Sequence, residues 1–168
     1  MQTLKNQLIN KFKGAKRLAI LGIGSELICD DAAGMLAAKQ LDSGPSLNKN
    51  MPCRVFFGAT SPESLTGEIK RFKPTDILII DAADFNATPG TTRFIELEDI
   101  GGVSFSTHRL PTKILTDYLI KSLNCRIAVV GIQPKSLDFC AAVSPEIKKA
   151  VDELVFAIKE AIECLTPP

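Results

Sequence analysis

The sequence contains no long apolar segment and has almost no net charge. No hydrophobic run approaches the roughly 18 residues that suggest a transmembrane helix, and the basic N-terminal segment lacks the apolar block of a secretion signal. Lys and Arg number 20 against 19 Asp and Glu, which gives a formal net charge of +1. Since nucleic-acid and membrane-surface binding depend on many unpaired cations, we expect no nucleic-acid partner. Because no apolar run is long enough to span a bilayer, we also expect no membrane insertion.

The cysteines do not follow the pattern of a metal site or of a disulfide framework. Their number is odd, they lie far apart in the sequence, and no CxxC pair is present: Cys29, Cys53, Cys125, Cys140 and Cys164. A structural zinc site is therefore unsupported. We predict reduced, mostly buried thiols in a cytoplasmic protein.

The length and composition are those of one globular domain. The 168 residues suffice to bury a sizeable core, and 45% of them are hydrophobic. Internal repeats and low-complexity tracts are absent from the sequence. We predict a single domain over residues 1–168, and we expect it to be a monomer.

Apolar runs of strand length alternate with segments of helical periodicity. The predicted strands are Arg17–Gly24, Cys53–Gly58, Asp76–Asp81, Thr91–Leu97 and Arg126–Ile132. The predicted helices are one that contains Leu4, Leu8 and Phe12, then Asp31–Leu41, Pro62–Phe72, Pro111–Leu123, and one that opens at Ser144. This order predicts a layered α/β domain with a mostly parallel sheet. The fourth strand follows the third without an intervening helix, so we predict that it is antiparallel.

Polar residues at helix starts predict N-caps. Ser144 stands before Pro145 and fits the cap of the last helix. Asp30 fits the cap of the helix after the first strand, and Asp31 fits its first turn, where the helix dipole favours an anion. A carboxylate at such a position also suits a metal ligand. Two capping acids without another role are the alternative.

Three ionisable residues follow strands whose ends are expected to meet at one edge of the sheet. Ligands of such sheets bind outside the carboxyl ends of the parallel strands. Asp81 follows four apolar residues, a costly place for a charge unless something receives it. His108, the only histidine, lies in the loop after the fourth strand. Together, Asp31, Asp81 and His108 offer two oxygen ligands and one nitrogen ligand, a set that suits Ni or Zn. Three protein ligands leave coordination positions on the metal open to exchange.

Other common active-site motifs are missing or incomplete. Gly22 and Gly24 begin a G-x-G-x-x-G motif whose third glycine is replaced by Leu27. The adjacent carboxylates would repel a pyrophosphate, so a nucleotide-binding α/β protein is the less favoured alternative. The sequence has neither G-x-S-x-G nor H-E-x-x-H. A paired-carboxylate hydrolase that uses Asp31 and Asp81 remains open on chemistry alone.

Four segments together resemble the hydrogenase maturation proteases, and most closely the hydrogenase 3 type. They are GIGSELICDDAAG at Gly22–Gly34, IIDAADFNATPG at Ile79–Gly90, THRLP at Thr107–Pro111 and GIQP at Gly131–Pro134. The resemblance implies an α/β/α fold with a five-stranded mixed sheet. It also implies an aspartic-type or metal-dependent endopeptidase that removes a C-terminal extension from a [NiFe]-hydrogenase large-subunit precursor after nickel insertion.

The resemblance implies roles for the three residues gathered above. Asp31, Asp81 and His108 match the positions of the family's nickel-reaching side chains, so it implies that they are the metal ligands and the catalytic residues. The nickel would be carried by the precursor and bound only weakly by the protease. The chain departs from the family pattern at Ser25, Cys29 and Ala32, a difference that concerns substrate recognition. A non-catalytic, nickel-dependent checkpoint or chaperone for the large subunit would use the same residues and remains an alternative.

Overall fold

Strands and helices alternate along most of the chain. A computed structural model describes residues 3–44, 47–102, 104–105, 112–139 and 142–165. Its strands are β1 (Leu18–Ile23), β2 (Cys53–Ala59), β3 (Asp76–Asp84), β4 (Thr92–Ile95), β5 (Ser104–Phe105) and β6 (Arg126–Ile132). Its helices are α1 (Leu4–Lys11), α2 (Ala33–Asp42), α3 (Thr66–Phe72), α4 (Thr112–Leu123) and α5 (Pro145–Cys164). Short 3-10 turns lie at Cys29–Ala32, Pro62–Leu65 and Asp99–Gly102.

The main sheet is mixed and has the strand order β2-β1-β3-β6-β4. β1, β2, β3 and β6 are parallel to one another, and β4 pairs antiparallel with β6. This confirms the predicted five-stranded, mostly parallel sheet and its antiparallel fourth strand. The two-residue β5, which the sequence analysis did not predict, pairs antiparallel with the end of β3.

Helices cover both faces of the sheet, which gives the predicted α/β/α layers. Successive strand residues point to opposite faces, so Leu18 and Ile20 pack into one core while Ala19 and Leu21 pack into the other. The first core also contains residues of α1, α2 and α5, and the second contains residues of α3 and α4. Within the described residues, no helix has the length and apolarity that a membrane span requires.

The end of β3 differs from the prediction. The apolar run predicted a strand that ends at Asp81, whereas β3 continues to Asp84. The added length comes from its neighbours: Ala82 pairs with Ile132 of β6, and Ala83 pairs with Phe105 of β5. These are tertiary pairings, so the apolar run on its own could not predict them.

The neighbouring strands β1 and β3 form a switch point. From β1 the chain passes through α2 to β2 on one side of the pair. From β3 it continues to β4 and β6 on the other side. In open α/β sheets, the crevice at the carboxyl ends of two such strands is the usual ligand site. Asp31 follows the first of these strands, and Asp81 lies near the end of the second.

Candidate active site

A tight turn places Asp31 after β1. Gly24 has a left-handed φ of +132°, and a Cβ there would come within 1.8 Å of the Asp31 carbonyl oxygen, so only glycine fits this approach. The turn lets the Ser25 backbone N–H donate to Asp31 Oδ2 across 2.5 Å. Asp31 is completely buried. Its carboxylate is therefore oriented by the backbone of the turn that follows β1.

Asp30 fastens a distant loop and is not a helix cap. Its carboxylate accepts hydrogen bonds from the backbone N–H groups of Lys135 (2.8 Å), Ser136 (3.0 Å) and Ser144 (2.7 Å). The Ser144 hydroxyl donates a further bond of 3.0 Å. With four donors on a fully buried carboxylate, Asp30 serves the loop between β6 and α5. The first carboxylate of the acidic pair is structural, and Asp31 is the candidate for chemistry.

The N-cap prediction is wrong for Asp30, whereas for Ser144 the predicted position is confirmed. The 3-10 turn at Cys29–Ala32 has Ile28 as its N-cap residue and no side-chain cap. Ser144 does stand at the N-cap of α5, but its side chain makes no capping bond. The Ser144 hydroxyl bonds instead to the Asp30 carboxylate, because an anionic acceptor binds a donor more strongly than neutral groups do.

Asp81 occupies a buried position within β3. It is completely buried and pairs in register with Gly131 of β6. On its other side, the pairing between β1 and β3 ends at Gly22 and Ile80. Asp81 is thus the first residue of β3 beyond its pairing with β1, at the switch-point crevice. A buried carboxylate is costly unless other groups compensate its charge.

Gly34 brings the segments that carry the two carboxylates to one edge of the sheet. A Cβ at Gly34 would lie 2.2 Å from the Ile80 carbonyl oxygen and 2.3 Å from that of Ile23. The first turn of α2 therefore presses directly on the carboxyl ends of β1 and β3. Asp31 precedes Gly34 by less than one helical turn, and Asp81 follows Ile80. Asp31 and Asp81 therefore both lie next to the carboxyl ends of β1 and β3.

His108 lies outside the described residues. The nearest described element before it is β5, which pairs Phe105 with Ala83 and Ser104 with Asp84. Within the described part of the chain, no group of three or more His, Cys, Asp or Glu side chains could hold a metal ion. The three-ligand set of Asp31, Asp81 and His108 therefore stays a prediction.

The prediction of reduced, mostly buried cysteines is wrong at Cys29, close to the acidic pair, and at the exposed Cys164. Cys29 is disulfide-bonded, whereas Cys53, Cys125 and Cys164 are free thiols. Cys140 lies outside the described residues. Separation along the sequence says little about separation in space, which is why an odd and scattered set of cysteines did not predict a disulfide.

An open α/β sheet with buried carboxylates at its switch point is the construction of an enzyme of the α/β class. The family model for hydrogenase maturation proteases matches residues 41–161. A Methanocaldococcus jannaschii protein whose name places it among hydrogenase maturation proteases is 40% identical over 95% of this chain and 96% of its own length. The hydrogenase 3 maturation protease of Escherichia coli K12 is 32% identical over 79% of this chain and 83% of its own length.

Solved structures agree with the sequence relatives. The crystal structure of a [NiFe] hydrogenase maturation protease from Thermococcus kodakarensis superposes with a TM-score of 0.83 at 31% identity. The superposition covers 93% of this chain and 98% of that one. The chain belongs to the hydrogenase maturation protease family, which confirms the resemblance found in the sequence.

Proposed function

We propose that this protein is an endopeptidase that removes the C-terminal extension of a [NiFe]-hydrogenase large-subunit precursor after nickel has been inserted. The observation that carries the proposal is the position of Asp31 and Asp81. Both are completely buried, and both lie at the switch point between β1 and β3 in a chain of this family. Two carboxylates at one rim also suit hydrolysis in which one of them acts as a general base.

We propose further that Asp31, Asp81 and His108 recognise the nickel carried by the precursor. Their oxygen and nitrogen donors suit a divalent ion of this kind. A bound cation would offset the charge and the desolvation cost of the two buried carboxylates. A precursor without nickel offers no such compensation, which is a physical reason for the protease to act only on the loaded form.

The length of chain between β5 and His108 is compatible with this role. His108 is three positions after Phe105 in the sequence, and an extended chain spans at most about 3.6 Å per residue. The Cα of His108 is therefore within about 11 Å of the Cα of Phe105. Phe105 pairs with Ala83, two residues beyond Asp81, so a chain of this length is compatible with the proposed meeting of His108 and Asp81.

The proposal is tested by incubating the purified protein with a large-subunit precursor prepared with and without nickel. The intact mass of each precursor is then measured. We expect loss of a C-terminal peptide from the nickel-loaded precursor alone. Equal cleavage of both forms would contradict nickel recognition. A stable complex with the nickel-loaded precursor, without cleavage, would favour the checkpoint alternative.

A further inference from the structure

Gln133, directly after β6, is a buried amide that uses its full bonding capacity. Its Oε1 accepts hydrogen bonds from the backbone N–H groups of Phe85 (2.9 Å) and Ala87 (3.2 Å). Its Nε2 donates to Asp84 Oδ1 at 3.1 Å and to the Pro134 carbonyl oxygen at 3.3 Å. A side-chain amide has two donors and two acceptor lone pairs, and here each has a partner. Three of the four bonds go to the last residue of β3 and to the loop that follows it.

The backbone of Gln133 holds the other end of the same loop. Its N–H donates to the Thr91 carbonyl oxygen, and its carbonyl oxygen accepts from the Gly90 N–H, each at 2.9 Å. Between these anchors Asn86 has a left-handed φ of 58°, a conformation that needs support from its surroundings. Part of that support is the bond from the Asn86 N–H to Asp84 Oδ1, at 3.0 Å. Gln133 therefore clamps the loop between β3 and β4 at both ends.

Asp84 links this clamp to the candidate site. It ends β3 three residues after Asp81, and it pairs with Ser104 of β5. The Asn86 N–H, and then the Gln133 amide, lower the pKa of the Asp84 carboxyl. Both the strand that carries Asp81 and the strand that leads toward His108 are thus fixed at a residue that Gln133 holds.

We propose that Gln133 is a positioning residue for the active site. It fixes the end of β3 and, through the pairing of Asp84 with Ser104, the register of β5, and with them the placement of Asp81. This inference rests on the proposed proteolytic function. It predicts that the Gln133 amide contributes to turnover beyond its contribution to stability.

Asn48 provides a matched control because it is a second buried amide clamp, in the loop before β2 and away from the carboxyl ends of the strands. Its Nδ2 donates to the carbonyl oxygens of Ile162 (2.6 Å) and Leu165 (3.0 Å). Its Oδ1 accepts from the N–H groups of Asn50 (2.7 Å) and Met51 (2.9 Å). Replacing either amide by an apolar side chain removes four hydrogen bonds, but only Gln133 lies near the candidate site.

The test compares Gln133→Met with Asn48→Leu for thermal stability and for kcat and KM on the nickel-loaded precursor. We expect both variants to lose thermal stability. For Gln133→Met we expect kcat to fall by about tenfold or more with KM within about twofold, whereas Asn48→Leu keeps the kcat of the wild type. Equal changes in kcat for the two variants would mean that Gln133 is only structural, and would overturn the proposal.

A charge exchange tests the link to Asp84. Gln133→Glu places two carboxylates against each other, so we expect a lower kcat than in Gln133→Met. When Asp84→Asn is added, the new amide at position 84 can donate to the new carboxylate at position 133. The double variant should therefore recover kcat several-fold over Gln133→Glu alone. Failure of the double variant to recover any activity would contradict positioning through Asp84.

Amide hydrogen exchange separates this inference from the proposed function. In Gln133→Met the N–H groups of Phe85 and Ala87 should exchange faster than in the wild type, whatever the protein cleaves. Unchanged exchange at both positions would overturn the clamp. A wild-type protein that leaves every precursor intact would contradict the proteolytic function and would leave the exchange result to decide about the clamp.

Discussion

Asp30 and Ser144 are joined by two hydrogen bonds although 114 residues separate them in the sequence. The Ser144 N–H donates to Asp30 Oδ1 at 2.7 Å, and its hydroxyl donates to Oδ2 at 3.0 Å. The bonds tie the start of α5 to the segment that carries Asp31. Asp30 therefore stabilises the fold, while the neighbouring Asp31 is the candidate catalytic carboxylate.

Replacing Asp30 by Ala should destabilise the protein strongly. The change leaves the partly buried N–H groups of Lys135, Ser136 and Ser144 without their acceptor, and a hydrogen bond to a charged group contributes about 1.5–3 kcal/mol. Because some of these groups can rebond to water, we expect a loss on the order of 3 kcal/mol in the free energy of unfolding, measured with urea. Asp117→Ala is the control, since its exposed ion pair with Lys113 spans 3.7 Å and contributes less than about 0.5 kcal/mol. A loss at Asp30 as small as that at Asp117 would contradict the anchoring role.

Gly34→Ala should destabilise the protein and impair processing together. The new methyl group would lie 2.2 Å from the Ile80 carbonyl oxygen, and relieving this overlap forces α2 away from the strand ends that precede the two carboxylates. Overpacking of this kind costs about 1–3 kcal/mol. The free energy of unfolding and the rate of precursor cleavage should both fall, as measured by urea denaturation and by mass spectrometry.

Gly67→Ala is the matched control for this change. Gly67 also lies in a helix, α3, but nothing stands within 4 Å of a Cβ at that position. Alanine is the better helix former by up to about 1 kcal/mol, so this variant should be as stable as the wild type or more stable. If both substitutions have the same effect, the close approach of Gly34 does not limit the site.

Local signals predicted much of the fold. The apolar runs at Ile77–Ile80 and Arg126–Ile132 predicted buried strands because such strands are covered on both faces. The absence of a helix between the third and fourth strands predicted that β4 is antiparallel. Asp81 was identified because a carboxylate directly after an apolar run has a high desolvation cost.

The features that escaped prediction depend on contacts distant in sequence. The two-residue β5 is too short to have a pattern of its own and exists through its pairing with Ala83 and Asp84. The partners of Asp30 come from the loop after β6, and local reasoning assigned the carboxylate to a cap instead. Gln133 belongs to the segment Gly131–Pro134 at the end of a predicted strand, but the sequence alone assigned it no role. A polar residue directly after a buried strand was the same signal that identified Asp81, and it could have identified Gln133.

Cys53 should react slowly with alkylating reagents at neutral pH. Burial raises the pKa of its thiol to about 11, so roughly one molecule in a thousand carries the thiolate at pH 8. We expect iodoacetamide to label the exposed Cys164 well before Cys53, as followed by peptide mass spectrometry. In urea both thiols should react alike. Equal labelling of the two in the folded protein would contradict the burial of Cys53.

The raised pKa of Cys53 also determines whether the stability of the protein rises or falls with pH. The unfolded thiol ionises near pH 8.5, whereas the folded thiol keeps its proton until about pH 11. The folded state therefore binds more protons in this window, and its stability falls as the pH rises from about 8.5 to 11. Cys53→Ser should reduce this part of the slope in urea titrations across the window. An unchanged slope would contradict the contribution of Cys53.

Asp31→Asn, Asp81→Asn and His108→Ala should each abolish precursor processing while the domain stays folded. Asparagine keeps the shape of the side chain and, at position 31, an oxygen that can accept the Ser25 N–H. It removes the charge needed to meet a cation or to take a proton, so we expect cleavage to fall by at least about a hundredfold. The rate is followed by the intact mass of the nickel-loaded precursor, and the fold by circular dichroism.

Asp117→Asn serves as the matched substitution, because it removes a carboxylate from the exposed face of α4 and should leave the rate unchanged. The comparison also separates the roles within the acidic pair. If Asp31 alone serves the chemistry, Asp31→Asn loses activity with little loss of stability, whereas Asp30→Asn loses stability first. A folded Asp31→Asn or His108→Ala protein that processes the precursor at the normal rate would show that the reaction does not need these side chains.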